Sequence, residues 1–163
     1  FLDADDVWLP DKLQMQVTLM QSTNCAVVFA DYYKVSSPND RVNTDRLVSA
    51  PLKVNYTMLL GGNVIGCLTA MYSAEILGKR YFRNCGHEDY LLWLSILKEG
   101  HTAYNVGKPL ALYRVGAESL SSNKFKTIRW TWHILRDEEK LPLHSAIKFF
   151  TLYAVKGVIK FRK

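Results

Sequence analysis

The sequence predicts an α/β fold, in which amphipathic helices pack on a buried sheet. A continuous apolar run at residues 25–30 has the length of a strand and no polar alternation, which is typical of a strand covered on both faces. Residues 10–21 and the segment from residue 88 onward instead carry apolar side chains at three- and four-residue spacing, which favours helices. The combination indicates an α/β domain.

The first helix is predicted to begin at Pro10, because the fixed backbone angle of proline suits the first turn of a helix. Leu13, Val17 and Met20 follow on one stripe, which we expect to be buried. The polar residues 22–24 end this helix and lead into the buried strand.

Shorter elements are predicted after residues 36–53, which show no clear period. Asn55 has a side chain suited to capping a helix, and Gly61-Gly62 can end the helix that it starts. The predicted elements that follow are a helix at 56–60, a strand at 68–72, an irregular basic loop at 79–87, a helix at 88–99, and strands at 102–106 and 110–115.

The last quarter of the chain is predicted to be helical and is strongly basic. Helices are expected at 123–139 and 143–160, separated at Leu141-Pro142. The whole chain has a formal charge of +6, and residues 123–163 alone carry +7, from 10 Lys/Arg and 3 Asp/Glu. Interleaved apolar side chains suit an anionic membrane surface, and they equally suit a helix packed on the domain with a solvated lysine edge. Nucleic acid is not a predicted partner, because no recognisable binding module accompanies the charge.

The 163 residues are enough for one domain or most of one, and 48% are hydrophobic. Because the chain begins with Phe1 inside a predicted strand, we expect it to be the downstream part of a longer protein. Its longest uncharged stretch, residues 54–74, is too polar to span a bilayer. Three cysteines without a CxxC pair indicate reduced thiols, so we expect a cytoplasmic protein that is at most peripheral at the inner face of the membrane.

Three carboxylates precede the first helix, at Asp3, Asp5 and Asp6. On an extended chain Asp3 and Asp5 share a face, whereas Asp6 points elsewhere unless the backbone turns. Two such ligands leave most of the octahedral shell of Mg²⁺ or Mn²⁺ open for water and for the phosphate oxygens of a substrate. A second interpretation remains open, in which the same carboxylates cap the helix and compensate its dipole.

Two further motifs follow this cluster in the sequence. Glu88-Asp89-Tyr90 stands before Leu92-Trp93-Leu94, and Tyr113-Arg114 stands before Ser119-Leu120-Ser121. Together with Phe1-Leu2-Asp3-Ala4-Asp5-Asp6 and Trp8-Leu9-Pro10, this order resembles the family 2 inverting glycosyltransferases of GT-A fold, in particular the bacterial enzymes that build O-antigen, capsule or other surface polysaccharide. The resemblance covers residues 1–122 as a partial GT-A domain, and residues 123–163 would form a basic helical C-terminal extension.

The resemblance implies metal-dependent transfer of a sugar from a nucleotide-diphosphate donor to a hydroxyl of a glycan or lipid-linked acceptor, with inversion at the anomeric carbon. Asp5 is then the principal ligand of Mg²⁺ or Mn²⁺, Asp3 assists it or contacts the nucleotide, and Asp6 has a weaker claim. Asp89 is the base that removes the acceptor proton, and Glu88 positions the acceptor. The implied contacts to the donor phosphates come from Arg114, Ser119 and Ser121.

Several features fit other interpretations or depart from the family pattern. Without the family, Glu88-Asp89 is an acidic first turn favoured by the helix dipole, and Arg114 suits a surface ion pair. Gly116 stands where many relatives have a histidine, and Leu91 replaces the second Asp of the Glu-Asp-x-Asp-Leu-Trp string. The strands that hold the nucleoside in this family are not in the sequence, so a noncatalytic fragment or a membrane-associated interaction module is the alternative function.

Overall fold

Two long parallel strands form the centre of the sheet in the computed structural model, which describes residues 1–36, 46–115 and 124–161. These strands are β2 (Val27–Val35) and β6 (Ala103–Arg114). Within the described residues, two-residue strands flank them in antiparallel pairs: β1 (Val7–Trp8) and β4 (Lys53–Val54) on β6, and β3 (Leu47–Val48) and β5 (Met71–Tyr72) on β2. The central pair therefore joins segments that lie far apart in the sequence.

Helices alternate with these strands along the chain. In the described residues they are α1 (Lys12–Thr23), α2 (Tyr56–Leu60), α3 (Ala74–Leu77), α4 (Glu88–Lys98), α5 (Lys124–His133) and α6 (Leu143–Phe161), with a π-helical turn at Ile134–Glu138. The predicted cap of α2 is confirmed, because Asn55 Oδ1 accepts a hydrogen bond from the backbone N–H of Met58 at 2.9 Å. The α/β prediction is confirmed as well.

β6 runs without interruption where two strands were predicted, at 102–106 and 110–115. Gly107 in its middle has a φ of +73° and donates its N–H to Asn105 Oδ1 at 2.9 Å. The pairing of β6 with β2 shifts in register close to this point, between the partners of Phe29 and Asp31. The break in the sequence pattern is therefore an irregularity within one strand and not a turn between two.

α1 buries a polar face that the sequence pattern did not predict. Leu13 and Val17, expected in a buried stripe, are 49% and 39% exposed, whereas Lys12 and Gln16 are 1% and 0% exposed. Lys12 Nζ lies 4.1 Å from the centroid of the Trp8 ring and donates a hydrogen bond to Gln16 Oε1 at 2.7 Å. The predicted stripe is wrong, because these polar groups satisfy one another and can be buried together.

The same polar face holds the segment that leads into β5. Gln16 Nε2 donates to the carbonyl oxygen of Thr69 at 2.6 Å, and Trp8 Nε1 donates to that of Leu68 at 2.7 Å. Both carbonyls belong to a 3₁₀ turn at Cys67–Thr69, which together with β5 replaces the longer strand predicted at 68–72. Two side chains of the N-terminal region thus fix the position of this turn.

The helical region after residue 123 shares its hydrophobic core with the rest of the described chain. Ile134, Leu135 and Ala146 are fully buried in the same cluster as the inward face of α4, which includes Trp93. Residues on both sides of the boundary predicted at residue 122 therefore contribute to one hydrophobic core.

A buried carboxylate reinforces this junction. Glu139, just after the π-helical turn, is 8% exposed. It accepts hydrogen bonds at Oε2 from the Tyr56 hydroxyl at 2.5 Å and from Lys98 Nζ at 2.7 Å. One side chain of the basic C-terminal region therefore binds α2 and α4 at the same time.

Candidate active site

A cavity of about 960 Å³ opens where the N-terminal segment, the turn after α2, the start of α4 and one face of α6 meet. Its volume is large for a small-molecule site. Among the described residues, the ionisable side chains that line it are Asp3, Asp6, Tyr32, Cys67, Glu88, Asp89, Tyr113, Tyr153 and Lys156. The cavity therefore collects carboxylates from both acidic sequence motifs.

A backbone turn at residues 3–6 determines which of the opening carboxylates face the cavity. The N–H of Asp6 donates to the carbonyl oxygen of Asp3 at 3.2 Å, so this segment is not extended. Asp3 and Asp6 line the cavity, whereas Asp5 is exposed and is not among the described lining residues. Of the two predicted metal ligands, the structure places Asp3 at the cavity, and the role of Asp5 stays a prediction.

Asp6 is the most buried of the three opening carboxylates, with 8% exposure. Its Oδ1 accepts a hydrogen bond from the backbone N–H of Arg114 at 2.9 Å, and its buried Oδ2 has no hydrogen-bond partner among the described residues. Burial raises the pKa of Asp6, the Arg114 hydrogen bond lowers it, and the charges of Asp5 and Asp3 raise it again. A carboxylate oxygen that no protein donor satisfies is well suited to a cation.

This set of donors fits a divalent cation that takes most of its ligands from outside the protein. In the part of the chain that the structure describes, no three His, Cys, Asp or Glu side chains are grouped closely enough to hold a metal by themselves. Asp3 and the unpartnered oxygen of Asp6 supply hard oxygen donors, which Mg²⁺ and Mn²⁺ prefer. Water and substrate oxygens would complete the shell.

Asp89 lies in the first turn of α4, on the cavity wall. Its Oδ2 accepts a hydrogen bond from Asn63 Nδ2 at 3.0 Å, and Asn63 Oδ1 accepts one from the N–H of Ile65 at 3.0 Å. Burial raises the pKa of Asp89, while the backbone N–H of Tyr90, the charge of His87 and the Asn63 hydrogen bond lower it. A carboxylate whose pKa is raised toward neutrality is a better general base.

The other predicted site residues have mixed outcomes. Glu88 lines the cavity beside Asp89 and accepts a hydrogen bond through Oε1 from the N–H of Gly86 at 3.2 Å. The Arg114 side chain is exposed and is not among the described lining residues, although its backbone N–H holds Asp6. Ser119 and Ser121 lie outside the described residues, as does Gly116.

The pKa values of two half-buried groups at the cavity, Cys67 and Tyr32, are raised by carboxylates of both acidic motifs. Burial raises the pKa of the Cys67 thiol to about 12, and the charges of Asp89 and Asp3 add to the shift. Burial also raises the pKa of Tyr32 to about 12, with contributions that include Asp6 and Asp89. Both acidic motifs lie at this cavity, because Asp3, Asp6, Glu88 and Asp89 all line it.

Sequence patterns missed several residues around Asp89. Asn63 follows Gly61-Gly62, which signals a turn, but no local pattern identifies its partner 26 positions away. Tyr153 and Lys156 line the cavity from α6, where the sequence suggested only a packed or membrane-facing helix. Lys156 is exposed and belongs to the basic residues of this helix, so no local pattern distinguishes it as a residue of the cavity.

Comparison with known proteins agrees with the motifs. Residues 1–79 match the family described as Glycosyl transferase family 2. TuaG of Bacillus subtilis, which is named as a glycosyltransferase of teichuronic acid biosynthesis, is 38% identical to the chain over 161 residues. This similarity covers 98% of the chain and 63% of TuaG.

Two proteins of Escherichia coli are similar over the same region. WfgD is 37% identical over 164 residues and WfaP is 33% identical over 160 residues, in each case across 98% of the chain and 62% of the relative. Both are named as UDP-Glc:alpha-D-GlcNAc-diphosphoundecaprenol beta-1,3-glucosyltransferases. The chain thus spans less than two thirds of the length of these relatives.

Proposed function

We propose that the protein, whose residues 1–79 match glycosyl transferase family 2, transfers a sugar from a nucleotide-diphosphate donor to a hydroxyl of a glycan or lipid-linked acceptor. This transfer would serve the synthesis of a bacterial surface polysaccharide such as O-antigen or capsule. The names of the two Escherichia coli relatives, which describe UDP-glucose as donor and a diphosphoundecaprenol-linked sugar as acceptor, support these substrate classes. The observation that carries the proposal is the convergence of Asp3, Asp6 and Asp89 on one cavity.

In this proposal the opening carboxylates hold Mg²⁺ or Mn²⁺ against the donor diphosphate. Asp5 and Asp3 are ligands, as the sequence motif implies, and the unpartnered Oδ2 of Asp6 adds a buried oxygen beside them. When bound, the ion offsets the negative charge that the leaving nucleoside diphosphate gains. Arg114 and the serines at 119 and 121 add contacts to the donor phosphates.

Asp89 acts from the other motif as the general base. It accepts the proton of the acceptor hydroxyl while that oxygen bonds to the anomeric carbon, and the bond from this carbon to the nucleoside diphosphate breaks on the opposite face. Glu88, next to it on the cavity wall, positions the acceptor. The raised pKa of Asp89 and its hydrogen bond to Asn63 support this role.

This assignment is tested by measuring sugar transfer by single-site variants of the protein at its natural length. Asp89→Asn keeps the shape of the side chain but removes the base, so kcat should fall about 10²- to 10⁴-fold. Asp5→Ala should remove activation by Mn²⁺. Asp11→Asn is a matched control, because Asp11 is exposed and its side chain makes no cap hydrogen bond at the start of α1. Normal transfer by both active-site variants would refute the proposal.

An anionic membrane surface is the proposed location of this reaction. No helix in the described residues is long and apolar enough to cross a bilayer. α6 nevertheless exposes Leu143, Ile147, Val155 and Val158 to solvent, with the exposed Lys148 on the same helix. A helix that exposes both apolar and basic side chains can lie in the headgroup region of a bilayer. Each Lys or Arg near the headgroups contributes about 1 kcal/mol to the free energy of membrane binding.

Flotation of the protein with liposomes tests this surface. We expect binding to vesicles that contain anionic lipid, and weaker binding by Ile147→Asn. Leu52→Asn is the matched control, because Leu52 is 65% exposed but lies far from α6 in the sequence, between β3 and β4. Equal flotation of the wild type and Ile147→Asn would contradict the role of α6.

A further inference from the structure

α6 presents two different faces, one to the cavity and one to solvent. Tyr153, Lys156 and Gly157 line the cavity, whereas Val155 and Val158, their neighbours in the sequence, are 49% and 57% exposed. One helix therefore connects the interior of the candidate active site with an apolar outer surface.

Among the charged side chains that line the cavity in the described residues, Lys156 is the cation and the others are carboxylates. Among the described lining residues the charged groups are Asp3, Asp6, Glu88, Asp89 and Lys156. No ion pair involving Lys156 occurs within the described parts of the chain. A phosphate group that entered this cavity without a metal ion would be repelled by the carboxylates and attracted at Lys156.

Lys156 lies against Gly61, and it lines the same cavity as Asp89, the proposed acceptor base. Its Nζ lies 3.2 Å from the point where a Cβ on Gly61 would stand, so the absence of a side chain at Gly61 leaves room for the ammonium group. The Gly61-Gly62 turn leads directly to Asn63, which donates a hydrogen bond to Asp89. The lysine and the base therefore both approach residues 61–63 of the cavity wall.

We propose that Lys156 binds the diphosphate of a lipid-linked acceptor, with the lipid chain leaving the cavity along the exposed apolar face of α6. This inference rests on the proposed function and adds to it a subsite for the acceptor. The acceptor sugar would lie between Lys156 and Asp89, and the donor diphosphate would lie at the opening carboxylates with the metal ion. Separate sites for the two diphosphates allow both substrates to be bound at once.

Kinetics with two acceptors tests the subsite. One acceptor carries its sugar on a lipid diphosphate, and the other carries the same sugar as a simple alkyl glycoside without phosphate, both in neutral detergent. Lys156→Ala should raise KM for the diphosphate acceptor about tenfold and leave KM for the glycoside and for the donor unchanged. Lys156→Arg keeps the charge, so KM for the diphosphate acceptor should stay close to that of the wild type. Lys108→Ala is the matched control, since it removes the same charge from an exposed position of β6 that does not line the cavity.

Two kinetic outcomes would overturn the inference. If Lys156→Ala raised KM equally for both acceptors, its effect would be a general structural one. If it raised KM for the donor, Lys156 would belong to the donor diphosphate. Calorimetric titration with farnesyl diphosphate gives a second measurement that needs no sugar transfer. We expect binding by the wild type that Lys156→Ala weakens about tenfold and Lys108→Ala does not. Equal binding by the wild type and Lys156→Ala would refute the subsite, even if the protein transfers sugar as proposed.

Discussion

At the residue scale, the hydrogen bond from Asn63 helps to determine how readily Asp89 ionises. It favours the charged carboxylate and so opposes the rise in pKa that burial causes. Asn63→Asp keeps an oxygen for the N–H of Ile65 but replaces the donor to Asp89 by a second carboxylate. The pKa of Asp89 should rise, and the acidic limb of the kcat/KM profile should move up by about one pH unit.

The sign of this shift follows from the protonation of the base. As the pH falls, a base with a higher pKa becomes protonated and inactive sooner, so activity is lost at a higher pH. Asn84→Asp is the matched control, because Asn84 is exposed and does not line the cavity. An acidic limb that stays in place in Asn63→Asp would mean that a group other than Asp89 controls it.

Individual site residues were predictable only where a short motif identifies them. Asp3, Glu88 and Asp89 stand in such motifs, and the structure places all three at the cavity. The sequence favoured Asp5 over Asp6, because it treated the segment as extended. The turn that joins the Asp6 N–H to the Asp3 carbonyl reverses which side chain is buried. Asp is favoured at the first position of such a turn, but it is equally common among metal ligands, so Asp3 does not distinguish a turn from an extended segment.

At the element scale, α1 shows how a buried polar pair can mislead a periodicity argument. Burial lowers the pKa of Lys12 from its ordinary value of 10.5 to about 8. Between these values the unfolded chain binds more protons than the folded one, so the folded state gains stability as the pH rises. Relative to Lys12→Met, the wild type should gain about 3 kcal/mol between pH 7.5 and pH 10.5.

Urea unfolding of both proteins at several pH values measures this difference. Titration of all other groups is common to the two proteins and cancels when their free energies of unfolding are subtracted. A difference that stays constant across the range would show that Lys12 titrates normally and is not buried as described.

Tyr32 of β2 packs closely against Gly66, the residue that precedes the 3₁₀ turn. A Cβ on Gly66 would lie 2.9 Å from Cε1 of Tyr32, which is too close for an ordinary contact. Gly66→Ala should therefore lower the free energy of unfolding by about 1–3 kcal/mol. Tyr32→Leu removes the opposing ring. In a protein that already carries Tyr32→Leu, Gly66→Ala should therefore lower the free energy of unfolding by a smaller amount.

Gly157→Ala is the matched control for this steric argument. A Cβ on Gly157 meets no atom within 4 Å, and its position inside α6 favours alanine. Thermal unfolding of the single and double variants gives the coupling between the two sites. An equal loss from Gly66→Ala in both backgrounds would mean that the Tyr32 ring is not the obstacle.

Elements with strong local signals were predicted well, and elements that depend on distant partners were not. α2 has the predicted bounds because a cap and a glycine pair mark its ends. β6 was split in two because Gly107 interrupts its pattern, although pairing with β2 continues on both sides. A local sequence pattern carries no information about hydrogen bonds to a strand more than 70 positions away.

At the scale of the whole molecule, the basic C-terminal region is part of the folded core. The predicted boundary at residue 122 follows the end of the family resemblance and the change in charge, and the sequence left open whether the helices beyond it pack on the domain. Ile134, Leu135 and Ala146 instead join the cluster that α4 fills with Trp93. The same packing brings α6 to the cavity, so stability and the shape of the site are linked through this region.

This shared core predicts a single unfolding transition. Glu139 binds Tyr56 and Lys98 from a position with 8% exposure, so Glu139→Gln should lower the free energy of unfolding by about 1–3 kcal/mol. The helical signal in far-ultraviolet circular dichroism and the near-ultraviolet signal of buried aromatic side chains should lose intensity together, in the wild type and in the variant. Glu138→Gln is a weaker control, because its partner Arg83 has a side chain that is 69% exposed. Two separated transitions in urea would show that residues 124–161 unfold independently, and the cavity wall formed by α6 would then be only loosely attached to Asp89.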